Sequence, residues 1–260
     1  MSDTAIITLN SNNIEQQHIC CAISDKKCAE GVRLKKEWLQ ERFQEGLRFK
    51  KLDVRQKVFI EYLPADYAWC PVEAPGYLFI NCLWVAGSFK GKGHGAQLLA
   101  ECLEEAQGAN GIVAVTGRTK KPYLSDKSYF LHNGFQVCDQ APPYFELVVL
   151  KFNETAPTPK FKATVQSQKV EFSEGLQLFY TAQCPYTSYY IGELETGAQE
   201  RGIPLQVRRI MSAEEAQNAP TPYTSYSLFY KGHFITHEIM TRNKFEKSVE
   251  GWIEKYGLPG

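Results

Sequence analysis

Net charge is the first thing missing. The 260 residues carry 29 Lys and Arg against 29 Asp and Glu, and basic neighbours come only in short pairs such as Lys50-Lys51 and Lys120-Lys121. Without a basic stripe to follow a phosphate backbone, nucleic acid is not an expected partner. Long apolar runs are missing too: none approaches the roughly 18 residues of a membrane-spanning helix. The opening Met1-Ser-Asp-Thr4 has no basic segment followed by an apolar one, so no export leader is read there. A cytoplasmic protein away from the membrane is expected. Cysteine is present, eight of them at 20, 21, 28, 70, 82, 102, 138 and 184, but without a CxxC pair or a disulfide-framework spacing. Reduced thiols, several inside apolar strands or helices, are the default. His18-Ile-Cys-Cys21 with Cys28 offers soft ligands, yet the spacing matches no zinc pattern, and no metal is expected.

What the chain does have is a glycine-rich turn between an apolar strand and an amphipathic helix. Tyr77-Leu-Phe-Ile-Asn-Cys-Leu-Trp-Val85 is apolar, aromatic and β-branched, about the length of a buried strand. Leu98, Leu99, Cys102, Leu103 and Ala106 recur at spacings of three and four, one face of a helix starting near Gly95. Between them Gly91, Gly93 and Gly95 alternate with Lys90, Lys92 and His94. Glycine tolerates positive φ and holds no side chain against a ligand, so several amides here can face one anion, with the helix dipole behind them. A diphosphate fits, although such turns also link strands to helices without binding anything. The P-loop is excluded, because Gly-His-Gly stands where Gly-Lys-Ser/Thr is required. A dinucleotide fingerprint is excluded by three glycines at every second position.

Lys90, Gly93 and Gly95 resemble the Arg/Gln-x-x-Gly-x-Gly/Ala loop of the GNAT acetyltransferases, with Lys in place of the usual Arg or Gln. The element order around the loop agrees. Ala5–Leu9 and Ile19–Ile23 read as strands and about 25–47 as amphipathic helix. Lys57–Leu63 and Tyr67–Val72 read as a hairpin over Pro64-Ala-Asp66, followed by the central strand. After the loop helix, Ile112–Thr116 reads as a strand, Tyr123–Asn133 as a helix, and Phe135–Cys138 and Tyr144–Leu150 as strands. The resemblance implies an α/β fold, α+β with a mixed sheet, over residues 1–153.

A polar, proline-rich linker over 154–168 then leads to a second unit over 169–260. Its elements are strand Leu176–Tyr180, a helix from Ser188 to about Arg201, strand Leu205–Ile210, capped helix Ser212–Gln217, strands Tyr226–Tyr230 and Phe234–Ile239, and a last helix carrying Phe245, Val249, Trp252 and Ile253. This βαβαββα order resembles the thioredoxin fold, with Cys184-Pro-Tyr-Thr187 where that fold carries its redox motif and Pro220-Thr-Pro222 roughly at its cis-proline. The combination resembles the YoaP-type acetyltransferases.

The resemblance implies an N-acetyltransferase that moves an acetyl group from acetyl-CoA, as cosubstrate, to a primary amine of a small molecule or peptide. Lys90, Gly91, Lys92, Gly93, His94 and Gly95 would hold the diphosphate, and Leu83, Trp84 and Val85 the pantetheine arm. Its Asn-x-x-Ala-x-x-Phe-Tyr helix departs here: the tyrosine position is Phe130, the asparagine position Tyr123, and the neighbouring Tyr129 is the candidate acid. For the base, Glu73 is the candidate, with Glu61 and His132 as others beside the cleft. Cys184 is the candidate thiol of the second unit, lacking a resolving partner because Thr187 stands in its place. A monothiol or soft-metal protein acting through Cys184, and a non-catalytic acyl-CoA sensor, are the competing readings. Tyr186, Tyr189, Tyr190, Tyr223 and Tyr226 hint at a flat or cationic ligand, and analogy with the family allows a homodimer through sheet edges.

Overall fold

A computed structural model describes residues 4–260; Met1, Ser2 and Asp3, where the leader reading begins, lie outside the described residues. The chain divides into two compact units: residues up to Ser24 with Lys36–Ala68 and Val72–Lys162, and Asp25–Lys35 with Trp69–Pro71 and Ala163–Gly260.

The first unit contains β1 (Ile6–Leu9), the C-terminal part of α1 (Ala29–Phe43), β2 (Arg48–Leu52), β3 (Val58–Pro64), β4 (Val72–Glu73), β5 (Tyr77–Val85) and α2 (His94–Glu105). It continues through β6 (Gly111–Gly117), α3 (Lys127–His132), β7 (Gln136–Ala141), β8 (Phe145–Lys151) and β9 (Lys160–Phe161). Seven strands form one sheet in the order β1-β2-β3-β5-β6-β8-β7, while β4 and β9 pair separately. Every neighbouring pair in the large sheet is antiparallel except β5 with β6.

Side chains alternate across a strand, so Val58, Ile60 and Tyr62 share one face of β3. They pack there with Leu98, Leu99 and Cys102 of α2, Phe130 of α3 and Phe135. Phe59, Glu61 and Leu63 point to the other face, where Phe59 stacks on Phe49 with ring centroids 4.9 Å apart.

β2 is absent from the sequence reading. Lys50-Lys51 resembles a solvated basic pair, yet Lys50 is buried in the sheet and its Nζ reaches Glu101 at 2.7 Å and Glu105 at 2.6 Å. Burial alone would lower the Lys50 pKa, but the two carboxylates outweigh it and hold the ammonium above its ordinary value. A Lys50→Ala chain should lose about 2 kcal/mol in urea unfolding, less than a fully buried pair because both glutamates keep some solvent.

Two expected strands do not form. Across Ile19–Ile23, Cys20 and Ala22 adopt φ of 63° and 55°, which no extended strand permits. The hairpin return over Tyr67–Val72 is replaced by a 3-10 turn at Ala65–Tyr67. Trp69–Pro71 then belongs to the second unit, where Thr224 Oγ1 donates to Trp69 O and Cys70 Sγ to Pro222 O. The helix expected over Tyr123–Asn133 is shorter, because Asp126 caps it by accepting from Ser128 N. Within the span read as linker, β9 pairs with β4 and a 3-10 turn covers Ala163–Val165.

The second unit contains β10 (Leu176–Tyr180), α4 (Thr187–Glu200), β11 (Leu205–Arg209), α5 (Ala213–Gln217), β12 (Tyr226–Tyr230), β13 (His233–Thr236) and α6 (Arg242–Tyr256). Its sheet order is β11-β10-β12-β13, with β10 and β11 parallel and the other pairs antiparallel. Leu194 and Ala198 of α4 pack with Phe245 and Val249 of α6 and with Leu178 and Leu228. Ser212 caps α5 by accepting from Glu215 N, as the sequence implies. Among the described residues the single cis peptide bond is Pro142–Pro143, so neither Pro220 nor Pro222 is a cis-proline. No helix of the described residues is long and apolar enough to cross a membrane.

Candidate active site

The site begins where β5 and β6 part. Their parallel register runs from Tyr77↔Gly111 to Ile80↔Ala114 and stops, although β5 continues to Val85 and β6 to Gly117. β6 is met beyond the split by Ser125, through an isolated bridge to Thr116. The β6-facing edge of β5 from Asn81 onward is therefore left without a strand, a row of backbone groups able to receive an extended ligand.

A bulge marks the split. β3 pairs Glu61 with Cys82 and Tyr62 with Ile80, which leaves Asn81 unmatched. The Asn81 amide donates to Glu61 Oε1 at 3.0 Å, and Glu61 is only 2% exposed. A buried carboxylate thus stands at the point where the two strands separate. By the alternation of β3 it faces away from α2 and α3.

Beyond the end of β5 the chain makes a 3-10 turn at Gly87–Phe89 and then the glycine turn. Gly91 and Gly93 take φ of 73° and 83°, the left-handed region that favours glycine. Gly93 is the N-cap of α2 and offers no side-chain oxygen, so the first N–H groups of α2 are not capped by a side chain. Lys90, Gly91, Lys92 and Gly93 are exposed, while His94 packs on Phe89 with ring centroids 5.6 Å apart. Lys92 Nζ stands 6.0 Å from the Phe89 ring. Leu83 and Val85 are half-buried against the core, and Trp84 is exposed.

Gly95 is needed for a different reason: a Cβ there would meet Tyr129 Cε2 at 3.1 Å and its hydroxyl at 3.4 Å. The Tyr129 ring therefore lies directly against the start of α2. Its hydroxyl is buried and has no hydrogen-bond partner among the described residues. Burial pushes the phenol up to about 12. Phe130, at the family's tyrosine position, is instead fully buried, with its ring 4.9 Å from that of Phe135. Successive helical residues point about 100° apart, which is why Tyr129 and not Phe130 faces the glycine turn. Tyr123 is part-exposed at a φ of 65°.

Glu73 is not brought into this group. It lies on β4, exposed, with its carboxylate 3.0 Å from Lys160 Nζ. Glu73 precedes β5 and the glycine turn follows it, so the nine residues of the strand, about 30 Å, stand between them. A surface carboxylate just before β5 carries no sequence mark that separates it from Glu61, and only the bulge register does. His132 is exposed in the last turn of α3.

In the second unit, Tyr189 and Tyr190 hold a cation already: Lys27 Nζ stands 4.6 Å and 5.0 Å from their ring centroids. At these two rings the cation is the chain's own lysine. A cavity of about 610 Å³ opens elsewhere in this unit, lined by Gln177, Phe179, Gln206, Arg208 and Glu215 among others. No group of three or more His, Cys, Asp and Glu able to hold a metal ion occurs among the described residues.

The pattern of the acetyltransferase (GNAT) family matches residues 12–124 and that of the YoaP-like family residues 204–247. An uncharacterized N-acetyltransferase, YoaP of Bacillus subtilis, is 46% identical over 243 residues, covering 93% of this chain and 96% of the relative. Two solved structures show weaker similarity. The PaiA N-acetyltransferase of Thermoplasma acidophilum in complex with coenzyme A has 19% identity and a TM-score of 0.40, with 57% of this chain and 99% of that one covered. A GNAT family acetyltransferase of Brucella melitensis in complex with acetyl-CoA has 18% identity and a TM-score of 0.38, with 63% and 98% covered. The extent and identity of the YoaP match show that this chain belongs to the GNAT family of N-acetyltransferases, in its YoaP type.

Proposed function

We propose that the chain transfers an acetyl group from acetyl-CoA to a primary amine at the split between β5 and β6. The observation that carries this is the meeting, at one end of β5, of an unpaired strand edge and an uncapped helix start behind two left-handed glycines. The amides of Gly91 to Gly95, with Lys90 and Lys92 at hand, would bind the diphosphate. The edge of β5 at Leu83 to Val85 would pair with the pantetheine amides, and one of its N–H groups would stabilise the thioester oxyanion.

Two side chains divide the proton work. Glu61 faces one side of the sheet and Tyr129 packs on the other. Glu61 would take a proton from the incoming ammonium, so that the neutral nitrogen attacks the carbonyl carbon. As the carbon–sulfur bond breaks, Tyr129 would give its proton to the departing thiolate. The orphan hydroxyl of Tyr129 supports this role, because a buried donor with no protein partner is a costly group to keep. The transferase domain, read from the sequence as 1–153, would be the first compact unit, which runs to Lys162 and gives up Asp25–Lys35 and Trp69–Pro71 to the second unit, read as 169–260. The β11-β10-β12-β13 order, with its single parallel pair, supports a thioredoxin-like reading of the latter.

Calorimetric titration with acetyl-CoA, followed by a primary-amine screen monitored by thiol release, tests the proposal; no heat of binding by the parent chain sinks it. Tyr129→Phe should lower kcat about ten- to a hundredfold at unchanged acetyl-CoA affinity. The same change removes an unsatisfied buried hydroxyl, so its unfolding temperature should not fall. Since burial holds the phenol near 12, the parent's kcat should show no falling limb from this residue up to pH 10.

A further inference from the structure

Cys184 stands in the turn between β10 and α4, half-exposed, and Thr187 N donates to its carbonyl at 3.2 Å. Thr187, three residues on, is buried and its hydroxyl donates to Ser225 O at 3.3 Å. Within this turn there is no second thiol, but packing brings one from the far end of the sequence. The 3-10 turn Lys26–Cys28, which leads into α1 and belongs to the same unit, lies against the start of α4. Lys27 Nζ bonds the Tyr190 hydroxyl at 3.2 Å. Gly31, one helical turn past Cys28, comes so near Pro185 that an added Cβ would run into the Pro185 carbonyl oxygen and lie 2.7 Å from Ser188 Oγ. Pro185 is the residue next to Cys184.

Cys28 is fully buried at this contact, and its backbone N–H donates to Asp25 O at 2.9 Å, which keeps Asp25 beside it. Burial, then Asp25, pushes the Cys28 thiol up to about 11, and the nearby Cys184 adds to the effect. Cys28 and Cys184 are both free thiols, and no disulfide joins them in this structure.

We propose that Cys184 and Cys28 form a dithiol pair that reduces disulfides of the glutathione class. The half-exposed Cys184 thiolate attacks one sulfur of the substrate disulfide, forming a mixed disulfide and releasing the first thiolate. Cys28 then attacks the Cys184 sulfur, passing its proton to Asp25, and the second thiolate leaves. The products are two substrate thiols and a Cys28–Cys184 disulfide, with two electrons moved from the pair to the substrate. A reductant other than the product thiol, of the small-dithiol class, would restore the pair by giving up two electrons and becoming a disulfide itself. A buried resolving thiol suits the order of events, because it meets only the sulfur that Cys184 brings to it. This inference is independent of the acetyl-transfer reading.

The full reduced chain treated with glutathione disulfide, then digested without reductant and mapped by mass spectrometry, tests it. The expected product is a peptide cross-linked through Cys28 and Cys184, with little glutathione retained. Cys28→Ser should instead trap glutathione on Cys184, roughly tenfold above the parent, and Cys184→Ser should leave Cys28 unmodified. Absence of the cross-link in the parent chain, or equal trapping with and without Cys28, overturns the proposal. The parent chain decides alone where Cys28→Ser does not fold. Linkage of Cys184 to any other cysteine overturns it too.

Discussion

Gly93→Glu should weaken acetyl-CoA binding by at least about a hundredfold, close to 2.7 kcal/mol, while leaving a folded chain. Two effects add. Gly93 sits at φ 83°, where a side chain costs about 1–2 kcal/mol of backbone strain, so the turn relaxes away from its anion-facing shape. The new carboxylate then stands at the start of α2, where the dipole and the uncapped N–H groups would otherwise meet a diphosphate. Folding should survive because nothing lies within 4 Å of a Cβ at this position. Gly93→Ala, which carries the strain without the charge, separates the two contributions and should fall between parent and Gly93→Glu. Calorimetric titration of the three chains measures the series. Equal affinities for parent and Gly93→Glu would remove the diphosphate from this turn.

The turn and its flanks were legible because local rules decide them. β5 begins and ends at Tyr77 and Val85 as the apolar run implies, and α2 buries Leu98, Leu99 and Cys102 as the spacing implies. β10 and β12 likewise match their apolar runs to the residue. Where the reading failed, a distant partner had overridden the local signal. Lys50 looks solvated until Glu101 and Glu105 arrive from α2. Tyr67–Val72 alternates like a strand, but Thr224 and Pro222 take its hydrogen bonds. Ile19–Ile23 is apolar enough for a strand, yet its burial is achieved through a turn with two left-handed residues. Phe130 and Tyr129 differ only in which side of α3 they occupy. The helix phase that sends one into the core and the other against Gly95 is set by Asp126 at the cap. The contact of Gly31 with Pro185, which brings the Cys28 turn toward the Cys184 turn, joins residues more than half the chain apart, and no motif spacing records it.

The proposed general base was the least legible part, since Glu61 and Glu73 are both carboxylates on or beside expected strands. What separates them is register. The bulge at Asn81 puts Glu61 beside the split, while Glu73 stands before the opposite end of β5. Glu61→Gln should therefore lower kcat about a hundred- to a thousandfold, within the usual range for loss of a positioned base. The amide preserves shape and can still accept from Asn81, so the bulge should persist and acetyl-CoA affinity should stay near that of the parent. The residual rate should climb with pH as more of the acceptor amine arrives already neutral, giving a steeper profile than the parent's. Glu73→Gln loses only an exposed ion pair with Lys160 and should change kcat by less than about twofold. Initial rates of thiol release with the best amine from the screen measure both variants across pH 6 to 10. A Glu61→Gln chain as fast as the parent would place the base elsewhere, or leave the amine to be deprotonated by solvent before it binds.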